Sequence, residues 1–352
     1  MVVSVGLGAA RRLFRRKVAS PAAGVISKDN EAKSGRIRLS WVWTTGQHPD
    51  ANLGDALSAV MVSAISGLKI EPAAFNHDNE RMTAVGTIGH AQYGAKVHVW
   101  GTGFDLKRGP TGAIGDYRVP DNTELVVHAV RGKQTAVGLR KLGVEVPDIY
   151  GDPVWFLPRV FPFADIRKEF ELGVIVHISE LDEATARASV RKNLERYRIP
   201  PEFSQNIKII NTYAAPDIAG MQDKIREIVS CRRILSTSLH GLVIAETYNI
   251  PCAWFSTNHG ASGFLPIDGS RSIDHRMIDF YGGADRDTVL SYLHPLHHET
   301  DWEKAMAFID SHWQPLDYTG EALFNAFPLP RAVRFEDKVW RCSEEVLHGN
   351  RY

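Results

Sequence analysis

The sequence predicts an α/β protein of two parallel-sheet domains facing a cleft, and three observations carry that prediction. Short apolar runs of strand length alternate with stretches of helical periodicity in both halves of the chain. The alternation is interrupted once, where Gly151-Asp152-Pro153-Val154-Trp155-Phe156-Leu157-Pro158 leads into a hinge over 158–163. Finally, 352 residues exceed the usual single domain, and an apolar content of 44% supplies two cores. The predicted layout is a basic N-terminal segment and linker over 1–36, domains over 37–160 and 161–315, and a closing C-terminal helix segment over 316–352.

Composition narrows the function. Lys plus Arg and Asp plus Glu are 41 each, so no bulk charge steers nucleic acid to the chain. Three scattered cysteines, Cys231, Cys252 and Cys342, make neither a disulfide framework nor a zinc spacing and fit a reducing compartment. No apolar run reaches the roughly eighteen residues of a membrane span, and the basic cluster follows the short apolar start, the reverse of a secretory signal. A cytoplasmic location is expected. Over 7–18, Arg11, Arg12, Arg15, Arg16 and Lys17 interleave with Leu7, Ala10, Leu13, Phe14 and Val18. On a helix the apolar members share a side, which suggests a peripheral contact with the anionic inner face of a membrane; a frayed basic tail is the other reading.

In the first half, 39–44 reads as a strand, 47–50 as a loop and 56–65 as a helix, so Asn52-Leu53-Gly54-Asp55 occupies a strand-to-helix turn. Gly54 allows the backbone to approach a ligand closely, and Asp55 is either a helix cap or a base for a hydroxyl. Strands are predicted over 83–88 and 96–101, the second delivering Gly103 to the carboxyl end of the sheet, where open α/β sheets bind ligands. No nucleotide-binding glycine fingerprint is present. A strand over 124–130 then delivers Arg131 to the start of a helix running to about 142, and its planar fork suits a carboxylate or phosphate.

In the second half, 172–177, 207–211 and 252–255 read as strands, and 183–197 and 217–229 as helices. Between them, Ile234 and Leu235 end a strand, Ser236-Thr237-Ser238 turns, and 241–248 is apolar at helical spacing. The first amides of that helix are unpaired and favour an anion beside the Ser236 and Ser238 hydroxyls. His240, in the first turn, is then placed to donate a proton to a bound anion; a capped core helix with an incidental histidine is the alternative. Beyond Phe255, glycines mark loops around 264–268 and 275–281, expected to carry acceptor specificity. Asp285 and Asp287, with His294, His297 and His298 nearby, have the outline of a metal site but read as solvated loop residues. Helices over 302–313 and 330–347 are expected to close the fold.

Taken as an ordered set, Asn52-Leu53-Gly54-Asp55, Val130-Arg131-Gly132-Lys133-Gln134-Thr135, Gly151-Asp152-Pro153 and Ser236-Thr237-Ser238-Leu239-His240-Gly241-Leu242-Val243-Ile244-Ala245-Glu246, followed by Ile250-Pro251, resemble the polysaccharide pyruvyl transferases. The likeness is to the bacterial ketal-pyruvate transferases of exopolysaccharide assembly and covers roughly 39–281. It implies two Rossmann-like domains arranged as in GT-B glycosyltransferases, with phosphoenolpyruvate as donor and a hexose of a lipid-linked oligosaccharide as acceptor. The implied product is a pyruvate ketal, with phosphate released. By that likeness His240 and Arg131 are catalytic, with Asp55 a candidate base. Arg131, Ser238, Leu239 and His240 would by the same likeness bind the donor; by their places at strand ends Asn52, Gly54 and Gly103 are expected beside it, and by their place in the 275–281 loop Asp279 and Tyr281 are expected to bind the acceptor. No metal or cofactor is implied beyond phosphoenolpyruvate as co-substrate. The stretch 276–279 follows no pattern of the family. Two alternatives stand beside this reading: a GT-B glycosyltransferase using a nucleotide sugar, whose ribose-gripping acid has no clear equivalent here and only Glu246 as a candidate, and a non-catalytic subunit of a polysaccharide assembly complex.

Overall fold

A computed structural model describes residues 35–258, 260–350 and 352. The basic segment over 7–18, with its suggested membrane contact, lies outside them.

The first half forms β1 (Arg36–Ser40), β2 (Ala51–Asn52), α1 (Leu53–Ser66), β3 (Lys69–Pro72), β4 (Arg81–Thr83), β5 (Ala95–Thr102), β6 (Thr123–Val130) and α2 (Lys133–Lys141). Five of these strands make one parallel sheet in the order β3-β1-β4-β5-β6. Its direction of winding reverses between β1 and β4, which opens a crevice at the strands' carboxyl ends. Helix α1 is apolar all round and buried almost throughout, and Gly67 at φ 72° ends it in the left-handed conformation that glycine adopts without strain. A 3₁₀ turn (Pro153–Phe156) and the single-turn α3 (Leu157–Val160) lead into the second half.

There follow β7 (Leu172–Val176), β8 (Ile207–Asn211), β9 (Tyr213–Ala214), α4 (Ile218–Val229), β10 (Ile234–Ser236), α5 (Leu239–Thr247), β11 (Cys252–Ser256), β12 (Gly263–Pro266), α6 (His275–Gly283) and β13 (Thr288–Leu293). The sheet order is β12-β13-β11-β10-β7-β8, parallel except for the edge strand β12. Read from β8, its parallel strands repeat the winding of the first sheet: second, first, third, fourth, fifth in chain order. After α7 (Trp302–His312) the chain crosses back to the first sheet through α8 (Glu321–Asn325) and α9 (Glu344–His348). There the Trp100 indole donates to the Leu323 carbonyl at 2.8 Å and the Ile70 amide to Asn350 Oδ1 at 2.8 Å. A β2–β9 pair also joins the halves, with Asn52 opposite Tyr213.

Several elements differ from those predicted. Residues 183–194 form turns and loop, with a single 3₁₀ turn at Glu195–Tyr197, rather than the predicted helix, because longer-range partners take their backbone groups. The Ala186 amide donates to Asp50 Oδ2, Asn211 Nδ2 donates to the Thr185 and Ala188 carbonyls, and Leu181 bridges Val190. The strand expected over 83–88 stops at Thr83, since Gly86 turns the chain at φ 105°. Only Glu344–His348 of the 330–347 stretch is helical. Conversely, the loop expected over 275–281 is helix α6, begun by Asp274, whose side chain accepts from the Arg276 amide at 2.9 Å.

Candidate active site

The carboxyl ends of the first sheet bring together residues far apart in sequence. Gly86 and Thr87 follow β4, Gly103 follows β5, and Arg131 follows β6. Arg131 is fully buried, and its Nη1 donates to Thr87 Oγ1 at 2.8 Å. Its guanidinium lies flat on Gly103, where a Cβ would stand 2.4 Å from Nη2. Its Nε is 3.4 Å from Asp279 Oδ2, an ion pair without hydrogen-bond alignment, so Nε and Nη2 have no hydrogen-bond partner. A buried guanidinium with two unspent donors is costly in isolation and suits an anion presenting two oxygens.

Asp279 comes from α6, in the other half of the chain. Its Oδ1 accepts from the Thr135 amide at 3.0 Å and its Oδ2 from Thr135 Oγ1 at 2.8 Å, so it caps α2, whose own cap residue, Gly132, has no side chain to do so. The two backbones meet closely here: a Cβ at Gly132 would stand 1.7 Å from the Asp279 carbonyl oxygen, and one at Gly283 2.2 Å from that of Arg131.

The second wall is the amino end of α5. His240 sits in its first turn, and its ring packs on Gly54, where a Cβ would stand 2.1 Å from Nδ1. Its Nε2 faces Asp152 Oδ2 at 3.6 Å. The His240 ring thus joins the amino ends of α1 and α5; the first α1 amide, Leu53, donates to the Thr212 carbonyl at 2.9 Å, and the positive ends of the two helix dipoles favour negative charge between them. Asp55, beside Gly54, accepts from Asn52 Nδ2 at 2.8 Å. Burial raises its pKa above the ordinary carboxylate value, against the opposing pull of His240, Asn52 and Arg276. A Cβ at Gly86 would stand 2.8 Å from Asp55 Oδ1, and Thr87 next to it holds Arg131. His240, Asp55 and Arg131 are thus linked through Gly54, Gly86 and Thr87.

A third group is built around the amino end of α6. Arg276 is forked onto Asp274, with Nη2 2.6 Å from Oδ2, and its Nη1 contacts His177 Nε2 at 2.9 Å. Burial works against the Asp274 anion, yet Arg276 holds its pKa down to about 2. Burial lowers the pKa of His177, of His275 and of His90, with Arg276 adding to the shift of the first and Arg131 to that of the second. Nothing in the spacing of Arg276, His177 and His90 marked them beforehand; only the meeting of the two sheets' carboxyl ends does so.

Of the other predicted site residues, Asn52 and Gly54 line the α1 end and Gly103 floors Arg131. Ser238 is the N-cap of α5, but its side chain makes no cap bond. Ser236 is committed internally, accepting from the Ser238 amide at 3.0 Å and donating to its carbonyl at 2.8 Å. The Leu239 side chain is buried in the core, which leaves its backbone amide as the group it offers the site. The two residues expected on the acceptor side are both internal. Asp279 is engaged as described, and Tyr281, 5% exposed, donates to Glu246 Oε1 at 3.0 Å. Glu246 lies seven residues beyond Leu239 in α5, buried in the core, away from the helix's amino end. Asp285 pairs with Lys133, and among the described residues no group of three or more metal-ligating side chains converges. No helix among them is long and apolar enough to cross a membrane.

Comparisons with known proteins cover part of the chain. A protein of Acanthamoeba polyphaga mimivirus, uncharacterized protein L143, is 26% identical over 172 residues, 47% of this chain and 51% of its own. The chain thus spans about half the length of this curated relative. No solved structure matches. The family model for polysaccharide pyruvyl transferase matches residues 90–259, a segment that holds Arg131, Asp152 and His240 and leaves Asn52 to Asp55 and α6 outside. By that match, residues 90–259, just under half of the chain, are similar to the polysaccharide pyruvyl transferase domain.

Proposed function

We propose that the protein moves the pyruvate unit of phosphoenolpyruvate onto two hydroxyls of one hexose in a lipid-linked repeat unit, forming a ketal and releasing phosphate. The observation that carries this reading is the buried Arg131 guanidinium, its Nε and Nη2 without hydrogen-bond partners, linked through Thr87, Gly86 and Asp55 to the amino end of α1, against which His240 packs. Phosphoenolpyruvate presents a carboxylate and a phosphate close together, matching one bidentate fork and one cluster of helix amides.

Protonation is the first chemical step. The imidazolium of His240 gives its proton to the enol methylene, forming a C–H bond and leaving positive charge at the neighbouring carbon. A sugar hydroxyl attacks that carbon, its proton passing to Asp55, a partly buried carboxylate of raised pKa. The C–O bond to phosphate breaks, and the second hydroxyl closes the ring. One of the two hydroxyl protons restores His240, and the other leaves with phosphate. Arg276 stands opposite Asp55 and balances the phosphate charge as it develops.

Asp279 and Tyr281, engaged inside the protein, hold the donor wall in shape and do not touch the acceptor in this scheme. A nucleotide-sugar reading would need Glu246 to grip a ribose, and its burial beside Tyr281 argues against that role. Phosphoenolpyruvate is met in the cytoplasm, so we assign the reaction to that side of the membrane.

The test is incubation of purified protein with phosphoenolpyruvate and pyranosides whose primary hydroxyl and adjacent ring hydroxyl are both free. Expected are phosphate release and the pyruvyl mass increment on the sugar, both lost in His240→Gln. Turnover of a nucleotide sugar with neither of these signals would overturn the proposal.

A further inference from the structure

We infer that Asp152 is a positioning residue for His240: it fixes the ring so that Nε2 keeps its proton and Nδ1 carries the proton that is transferred. The inference rests on the reading of His240 as proton donor and adds to it a residue that acts through the ring without touching the substrate.

Asp152 belongs to Gly151-Asp152-Pro153, and its backbone is tightly specified. Gly151 has φ 141°, and a Cβ there would stand 2.0 Å from the Tyr318 hydroxyl oxygen. On the other side, a Cβ at Gly101 would stand 2.4 Å from the Pro153 ring. The turn therefore delivers the Asp152 side chain in one direction, and the carboxylate is fully buried. One oxygen has ordinary work: Oδ1 accepts from the Val154 amide at 3.0 Å and caps the 3₁₀ turn.

The other oxygen has none. Oδ2 is buried without a hydrogen-bond partner, and the group it faces, His240 Nε2 at 3.6 Å, is likewise buried and without one. A capping role alone explains Oδ1 and leaves Oδ2 as an uncompensated cost, since a desolvated carboxylate oxygen is unfavourable unless a donor meets it. Both orphans are satisfied by one bond, Nε2–H to Oδ2, once the gap narrows by about 0.7 Å to the usual length of a charge-assisted bond, a tightening common when substrate fills a site.

A carboxylate can only accept, so the bond requires the proton on Nε2. Nδ1 is then the nitrogen that gains and loses the second proton. It faces Gly54 at the amino end of α1, on the side where the anion is expected, and glycine is what leaves room for it there. In the transfer, the Nδ1–H bond breaks, a C–H bond forms at the methylene, and the ring returns to its neutral Nε2–H form. The charged groups facing the ring are Asp152 from the turn and Asp55 from α1.

The test uses Asp152→Asn in the full chain. Asn retains an oxygen for the Val154 amide, so the cap survives, but it presents an NH₂ to Nε2 and so forces the neutral ring into the Nδ1–H form. The first readout needs no substrate: ¹⁵N shifts of the His240 ring, identified by their loss in His240→Gln. Expected are Nε2 protonation in the wild type and a change of tautomer in Asp152→Asn. The second readout is turnover, expected to fall by roughly a thousandfold or more, as the wrong tautomer does in a Ser-His-Asp triad, with KM for phosphoenolpyruvate within about threefold and an altered acid limb in the pH profile. An unchanged tautomer in the variant, or wild-type turnover and pH profile, would overturn the inference. Absence of pyruvyl transfer by the wild type, with the tautomer change intact, would instead overturn the proposed reaction and leave the Asp152–His240 pairing standing.

Discussion

Gly54→Ala isolates the contact on which the site geometry depends. Gly54 is the second residue of α1, and alanine in place of glycine inside a helix is ordinarily favourable by about 1 kcal/mol. Here the new methyl would lie 2.1 Å from His240 Nδ1 and 2.6 Å from its Cγ, where ordinary contact begins at 3.4 Å. The ring must therefore retreat by more than about 1 Å, and overpacking of this kind costs about 1–3 kcal/mol. The two terms nearly cancel, so the midpoint of thermal unfolding should move by only a few degrees. Activity should not be spared. A displacement of about 1 Å in a catalytic group costs roughly a hundredfold in rate, equivalent to about 2.7 kcal/mol of barrier. Circular dichroism on heating and phosphate release from phosphoenolpyruvate measure the two quantities on one sample. Turnover within about threefold of wild type in a folded variant would show that the ring's place against Gly54 is irrelevant to the reaction, and would refute the reasoning.

Other perturbations separate support of the site from its chemistry. Asp279→Ala should cost about 3–5 kcal/mol in urea unfolding, because it strands the buried Arg131 charge and uncaps α2; Asp279→Asn should cost clearly less. In Gly103→Ala the methyl stands 2.4 Å from Arg131 Nη2, so KM for phosphoenolpyruvate should rise about tenfold or more while kcat changes little. A fall in kcat alone would place Arg131 outside donor binding. Burial pushes the Glu246 pKa up to about 7, so the folded state binds its proton more tightly than the unfolded chain does. That contribution is complete below the ordinary glutamate pKa and is lost as pH rises through about 7. Wild-type stability should therefore fall by about 3 kcal/mol between pH 4.5 and pH 8.5 on this account, and Glu246→Gln should flatten the slope over that range. Parallel slopes in urea titrations of the two proteins would refute it.

How far the sequence foretells this molecule depends on the range of the interactions that decide each element. Residues 207–211 are a strand and 218–229 a helix, as local pattern alone predicts within a residue, and Asp217, placed inside the predicted helix, is its cap, accepting from the Gly220 amide at 2.7 Å. Residues 183–197 have adequate helix propensity and still do not form one, since Asp50 and Asn211, distant in sequence, hold their backbone groups. Asp274 and Asp279 sit among glycine-marked loops in the sequence, and the role of Asp279 is invisible until α6 packs on the exit of β6, where Gly132 and Gly283 allow backbone contact. His240 and Arg131 were legible because each sits at a strand's exit, a position with a general physical meaning in parallel sheets.

The same positional rule accounts for why the site forms between the halves. Each sheet reverses its winding beside its first strand, and a crevice at that point receives the groups carried past the strand ends. In the first sheet those groups are Thr87, Gly103 and Arg131; in the second they are His177 and the Ser236–His240 turn. One sheet alone would present the Arg131 fork without His240, and the other His240 without Arg131. Asp279 and the β2–β9 pair tie the two together, the first by holding Arg131 from α6, the second by setting the amino end of α1 opposite β9. Loosening either tie should therefore impair donor binding and proton transfer together, because both depend on the same approach of the two sheets.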